Sequence, residues 1–309
     1  MLKKSRPEKS ALSDILLTLV TLEIMAYFYY GVRALVLAGV CAGCSLIAEI
    51  ISVRLMGRNF RVQDVNCIAD GLIISLMMPA VADFRIAGLA GIFAVVVAKN
   101  VFGGRFNMIF SPPAVAYVFM LSSWKDDILK FTEPHIHTGL NEVPEKLVDS
   151  ASYVYNFTGK FGYTDLEILL GNFVGASGTV SILLIMVSAV ILIMRRDISA
   201  GAFIGTISGT VISAVITSTS VRYSLVTTMV LFASVYIIAD RRVAPVNNFY
   251  AFFYGFFISV FSFIIVLTTA KENSIIIVSV LFTPVALGFK NLERRIDIAR
   301  EEAIGVGQK

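Results

Sequence analysis

Residues 99–114 read Lys99-Asn100-Val101-Phe102-Gly103-Gly104-Arg105-Phe106-Asn107-Met108-Ile109-Phe110-Ser111-Pro112-Pro113-Ala114. Apolar chain runs into this stretch and out of it. Inside it sit a glycine pair, two cations, Asn107 and a proline pair. The glycines let backbone turn or approach a ligand closely. The prolines remove two backbone donors and prevent regular helix across them. Non-helical backbone at membrane depth survives only where protein or a water-filled cavity covers it. Two readings follow: a helix broken beside a site, or a plain cytoplasmic loop between two spans.

The surrounding composition puts this stretch in a membrane. The chain of 309 residues is 57% hydrophobic and 16% charged, with a mean hydropathy of +0.80. Soluble domains average about 25% charged residues. The net charge of +4 is spread along the chain, which excludes a nucleic-acid partner. Cys41, Cys44 and Cys67 all lie in apolar segments and form no disulfide framework. Cys41-Ala-Gly-Cys44 has thiol spacing for a redox site, but no second pair completes a four-thiolate set. Small residues that let helices pack closely are the alternative reading. The basic segment Met1–Ser10 is followed by an apolar run without a small-residue cleavage site, so that run is expected to stay as a span.

A span needs about 20 mostly apolar residues. Ten candidates follow in order: 11–31, 33–55, 65–81, 84–102, 110–124, 166–194, 200–218, 223–238, 249–270 and 274–289. With the N-terminus inside, 18 of the 26 Lys and Arg fall in inner segments and eight in outer ones. Cations are retained on the cytoplasmic side, so both termini are expected in the cytoplasm and the protein in the cell membrane. The expected fold is all-α and polytopic, with about ten transmembrane helices in two inverted halves of about five. The first half covers 1–124, an extracytoplasmic loop 125–165, the second half 166–290 and a cytoplasmic tail 291–309. Inverted-repeat proteins hold their sites between the halves, on broken helices.

Acids inside apolar runs are costly and are functional candidates by default. Glu23 falls in the first span, Glu49 near the inner end of the second and Asp70 in the third. Glu23 and Asp70 are candidates for an ion path; pairing with Arg54, Arg58 or Arg241 as an anchor is the alternative. For Asp240, Arg241 and Arg242 adjoin it, and an anchor is expected. The sixth span carries Gly171, Gly175 and Gly178 among other small residues. These either pack helices or let a planar ligand lie against backbone. His135 and His137 lie in the outer loop, too few for a usual metal site. Within the membrane there is no nucleophile–His pairing, and no P-loop is present.

Several stretches, in order, resemble the RnfD component of the Rnf complex, the ion-translocating ferredoxin:NAD oxidoreductase. More distantly they resemble the NqrB component of the sodium-pumping NADH:quinone oxidoreductase. Phe102-Gly103-Gly104, Asn107, Ile109-Phe110 and Pro112 are similar to the family's Gly-Gly…Asn-x-x-Phe-Asn-Pro-Ala loop, with Ser111 in place of Asn. Asp64, Gly71-Leu72 and Pro79 are similar to its Asp…Thr-Gly-Leu-Leu…Pro segment, with Asp70 in place of Thr. Leu170-Gly171-Asn172…Gly175…Gly178…Ser181 and Asp240…Pro245 have counterparts as well.

The resemblance implies a membrane component of an electron-transfer complex rather than an enzyme by itself. It implies FMN or riboflavin as cofactor, electron flow coupled to Na⁺ or H⁺ transport, and partners among other membrane and peripheral subunits and the bilayer. Implied flavin-binding positions are Gly103, Gly104, Asn107, Ser111, Pro112, Gly175 and Gly178. The family's FMN is joined to a Thr in a Ser/Thr-Gly-Ala-Thr motif. That motif is absent, and the nearest acceptor is Thr164 in Phe161-Gly162-Tyr163-Thr164-Asp165. A different alignment puts Tyr155 there, in which case the covalent link is lost. A flavin-free relative acting as a transporter, as a quinone- or partner-binding module, or in a purely structural role is the competing expectation.

Overall fold

The computed structural model describes residues 8–306, apart from 103, 105–107, 138, 140–146, 161 and 227. The protein is an all-α polytopic membrane protein. Among the described residues, extended pairing is confined to two isolated bridges, Phe131–Val148 and Ile198–Asp240. Up to residue 124, called the first half for its place in the chain, come α1 (Glu8–Tyr30), α2 (Val32–Leu55), α3 (Asn66–Met77), α4 (Phe84–Phe93) and α5 (Pro112–Ser123). Short helices α6 (Lys125–Ile128), α7 (Ala151–Thr158) and α8 (Asp165–Leu170) follow. The second half contains α9 (Ile182–Arg195), α10 (Ala200–Ile216), α11 (Val221–Val226), α12 (Val230–Ala233), α13 (Asn248–Thr269), α14 (Ser274–Leu281) and α15 (Thr283–Val306).

Among the described residues, four segments are long and apolar enough to cross a membrane: Ser10–Tyr30, Val32–Leu55, Phe84–Val101 and Asn248–Thr269. A fifth is bent by 46° between α14 and α15, and α3, α5, α9 and α10 are shorter apolar helices. The expected eighth span is divided into α11, α12 and a π-helical turn, Ser234–Ile238. The polar stretch expected as a tail is helical through Val306. Helix ends follow local chemistry. Asp83 caps α4 by accepting from Arg85 N, Ser199 caps α10 and Asn247 caps α13, since a short polar side chain satisfies an orphan donor. Pro112 and Pro113 open α5, where missing N–H groups cost nothing.

Regular α-helix ends at Phe93, ahead of the glycines in the stretch 99–114. From Ala94 to Val101 the chain stays helical but in π form. Regular helix resumes at Pro112. Gly104 sits at φ +66°, the left-handed region that side chains strain to adopt. Its nearest neighbours are the Arg58 guanidinium and Asn100 Oδ1, at 3.7 Å or beyond from where a Cβ would stand. Conformation, not crowding by protein, therefore calls for glycine there.

The expected sixth span, 166–194, is not one helix. α8 stops at Gly171 (φ +88°), where a Cβ would meet Val180 O at 2.5 Å. Irregular chain then runs to Ser181 before α9 begins. Most of residues 171–181 are buried, so their backbone needs partners. The first half supplies them. α3, at about 18 Å, is too short to span a core of about 30 Å, and its last carbonyls have no partner within the helix. Gly178 N donates to Leu76 O (2.8 Å) and Ser177 N to Met78 O (3.2 Å). Ser177 Oγ reaches the carbonyls of Ser75 and Met78, both at 3.2 Å. Tyr29 Oη donates to Leu170 O at 2.6 Å. The two breaks thus satisfy each other across the halves, which is what lets irregular chain exist at this depth.

Glycine seams hold each half together. In the first, a Cβ on Gly71 would stand 2.7 Å from Ala42 Cα, and one on Gly91 2.6 Å from Cys41 O. In the second, the space where side chains of Gly201, Gly205 and Gly209 would begin is taken by carbonyls of Asn248, Phe252 and Phe256. Gly255 returns the contact against Ala202, and Thr210 and Ser259 share a hydrogen bond of 2.6 Å. The reading of Cys41 and Cys44 as packing residues fits this geometry: Cys44 Sγ lies 3.2 Å from where Gly88 would carry a Cβ.

Candidate functional site

A cavity of about 350 Å³ lies between the halves. Its wall is apolar where α1 and α3 supply Ala11, Leu12, Ile15, Ala69 and Ile73, with Val235 opposite on the π turn after α12. Its other end is charged, with Arg196, Asp197, Asp240, Arg241 and Arg242. An apolar cleft with a few convergent polar groups is the usual form of a small-molecule site.

Arg242 organises the charged end. It grips Asp70 with two nitrogens, Nη2–Oδ1 at 2.7 Å and Nη1–Oδ2 at 3.2 Å. Its Nε donates to Asp240 Oδ2 at 2.7 Å, and its backbone N to Asp240 Oδ1 at 2.9 Å. Lys290 of α15 donates to Arg242 O at 3.0 Å. Burial works against the charge on Arg242, but the carboxylates of Asp240 and Asp70 outweigh it, and the guanidinium is held protonated. The planar fork matches carboxylates in a way a lysine would not. So Asp70, fully buried, is tied to the other half of the chain. The expected anchor at Asp240 is present, and the same arginine also holds the ion-path candidate Asp70.

Glu23 occupies the interlock of the two breaks. Its Oε1 accepts from Ser75 Oγ at 2.6 Å, and Ser75's carbonyl accepts from Ser177. Glu49 has a different partner from those expected. Lys99 Nζ lies 2.8 Å from Oε1 and Asn100 Nδ2 lies 3.1 Å from Oε2. Arg54, Arg58 and Arg241 play no part in the bonds described for it. The wider π turn of backbone around Lys99 and Asn100 brings both side chains to one carboxylate, and such turns recur at functional positions.

The residues implied as flavin contacts do not converge. Gly103 and Asn107 lie outside the described residues. Gly104, Ser111 and Pro112 are at the π-helix end and the start of α5, and the buried Ser111 Oγ has no partner among the described residues. Gly175 and Gly178 belong to the interlock. The Leu76 side chain fills the space over Gly178, and Val180 packs on Gly175. Thr164 is exposed and caps α8 in a reciprocal box with Glu167, its hydroxyl 2.9 Å from Oε2. Among the described ones, none lines the cavity between the halves. Sequence reasoning missed Asn66 and Arg242 as parts of that cavity, and it missed Glu272. The signal for Arg242 was present in Asp240-Arg241-Arg242; its reach to Asp70 was not.

Comparison with known proteins bears on the whole chain. The model of the NQR2, RnfD, RnfE family matches residues 2–288. The chain is similar to the D subunit of the Na⁺-translocating ferredoxin:NAD⁺ oxidoreductase complex of Acetobacterium woodii, 24% identical over 62% of this chain and 59% of that one. It is similar to the D subunit of the ion-translocating oxidoreductase complex of Methanosarcina acetivorans, 25% identical over 80% and 76%. With the D subunit from Halorhodospira halophila it shares 30% over 39% and 34%. In the first of these the matched stretch spans 59% of the relative's length.

Proposed function

The chain belongs to the NQR2, RnfD, RnfE family, and from that premise we propose that it is a membrane component of an ion-translocating oxidoreductase complex, of the RnfD type. The observation that carries this reading is the cavity between the halves, lined at one end by Arg242 and Asp240, with Arg242 reaching on to the buried Asp70. A charged cluster joining two halves of a membrane protein is costly unless it serves a path or a site. The exposed apolar faces of α1 and α2, with Leu17, Phe28, Ile47 and Ile51, suit lipid or neighbouring membrane subunits. The cation distribution favours a cytoplasmic position for both termini.

A flavin held without a covalent link fits the cavity residues. Ala11, Ile15, Ala69 and Ile73 offer apolar walls to a ring, and Asn66 and Arg241 offer polar groups to its edge. Bound there, the flavin would supply the electron transfer, and the chain would orient it and tune its potential. A phosphoester at Thr164 fits poorly. Its neighbours are the carboxylates of Asp165 and Glu167, and its hydroxyl is already used in the cap. The same cap favours a second reading, a flavin-free relative whose cavity takes a quinone headgroup.

The purified complex should show flavin absorption that is released on denaturation, and Ile73→Trp, which fills the cavity, should remove it while leaving the complex assembled. A fluorescent band of this chain on a denaturing gel would overturn the non-covalent reading. No flavin in either fraction would favour the quinone reading.

A further inference from the structure

Glu272 stands in the short connection between α13 and α14, yet it is only 4% exposed. It forms part of the floor of a second cavity, of about 270 Å³, on the side assigned as outer. Ser150, at the start of α7, lies against its carboxyl. Behind it are two more buried polar groups. Asn273 and Tyr117 are both fully buried, and the Tyr117 hydroxyl faces the Asn273 side chain. Glu272 Oε1, both amide atoms of Asn273 and the Tyr117 hydroxyl make no well-formed hydrogen bond among the described residues. Four such atoms together are unusual, because buried polar groups are almost always paired with protein or water.

We infer that Glu272 is the outward proton-exchange site of this chain's ion path, loaded and unloaded through the cavity above it, with Asn273 and Tyr117 as the polar groups next inward. The inference rests on the reading that the chain takes part in ion translocation. The step is a proton transfer alone. The carboxyl O–H bond breaks, the proton passes to water in the cavity, and the reverse step reloads the carboxylate. The charges facing the site favour a proton over a metal ion. Lys125, Lys130 and Lys271 rim the cavity with Asp126, Asp149 and Tyr153, and the buried Tyr30 of α1 also faces Glu272. Lys130 is matched by Asp149 at 2.7 Å, whereas Lys125 lies against Lys271, two like charges that repel a further cation. Burial pushes the carboxyl of Glu272 up from 4.5 to about 8, against the opposing effect of Ser150, so both protonation states are within reach near neutral pH.

Dicyclohexylcarbodiimide reacts with protonated carboxyls in apolar surroundings. In the intact complex it should label the peptide containing Glu272, and the label should fall roughly tenfold between about pH 7 and pH 9. Na⁺ at fixed pH should leave the label unchanged, and E272Q should not be labelled there. E272Q should also transfer electrons while losing most ion translocation, with E272D intermediate; an unchanged thermal midpoint of the variant complex excludes misfolding. No label, a label flat with pH, protection by Na⁺, or full translocation by E272Q would each overturn the assignment. A wild-type complex that transfers electrons without moving ions would instead sink the ion-path reading of the chain, and the labelling would still decide whether Glu272 exchanges protons.

Discussion

Two buried ion pairs of similar length do different work in this molecule. Glu49–Lys99 lies inside the first half, at 2.8 Å, with both side chains 1% exposed. Asp70–Arg242 joins the halves at 2.7 Å, and its arginine is 26% exposed at the edge of the cavity. The first pair has nowhere to exchange partners; the second faces an open cavity and has a second carboxylate, Asp240, within reach. A sealed pair fixes one half as a body, while a pair open to a cavity can release one half from the other. This is why Asp70, rather than Glu49, belongs with the proposed site.

The largest effect should come from opening the sealed pair. Lys99→Met strands Glu49 in protein, a loss of about 3–5 kcal/mol, read as a fall in the thermal midpoint of the purified protein in detergent. Adding Glu49→Leu should recover most of it, since an apolar pair is often as stable as the ionic one. If the double variant is no better than the single, the pair does more than hold the half together.

Arg242→Gln should destabilise less, by about 1–3 kcal/mol, because water entering the cavity can solvate Asp70. Its main effect should be on coupling, measured as ions moved per electron in the reconstituted complex. A larger stability loss than for Lys99→Met, with coupling intact, would reverse the comparison.

Gly104→Val, close to the sealed pair through Asn100, should cost about 1–3 kcal/mol from its left-handed backbone, while Gly104→Asn should cost much less. Equal midpoints for both variants would show that the backbone at this position is not held at positive φ.

Different in kind from these losses is a pH effect from Glu272. Its folded pKa lies above the unfolded one, so the native state binds more protons and stability falls as pH rises. The fall should run between about pH 4.5 and pH 8, and E272Q should flatten that part of the profile. For orientation, a cysteine at the exposed Lys160 should react with an impermeant reagent outside intact cells. Ser150 cannot report this, because it is buried beside Glu272.

Much of the fold was legible where an unbroken apolar run also makes a regular helix. The runs of α1, α2 and α13 were read within a few residues of their ends. The run 166–194 misled because hydropathy counts side chains. Gly171–Ser181 is small and apolar enough to pass as helix, while its backbone bonds go to α3 instead. Glu49 with Lys99, and Asp70 with Arg242, are 50 and 172 residues apart, and nothing local announces such pairs. Glu272 read as a loop residue between spans, since groups near it, Tyr117 of α5 and Ser150 before α7, are more than a hundred residues away in sequence. The residues that carried the family resemblance did mark the interlock, the π-helix end and, at Asp240, the charged end of the cavity, but not its apolar wall.

The seam between α10 and α13 carries a mechanical consequence. Its notches, at Gly201, Gly205 and Gly209, recur every four residues, about 6 Å along the helix. Each is filled by a carbonyl of the facing helix. A slip of about 1–2 Å would drive those carbonyls onto α-carbons, so the two helices can only hold register or jump a whole notch. They therefore act as a single strut, and any displacement at the charged end of the cavity, where α10 begins, would move both helices as one body.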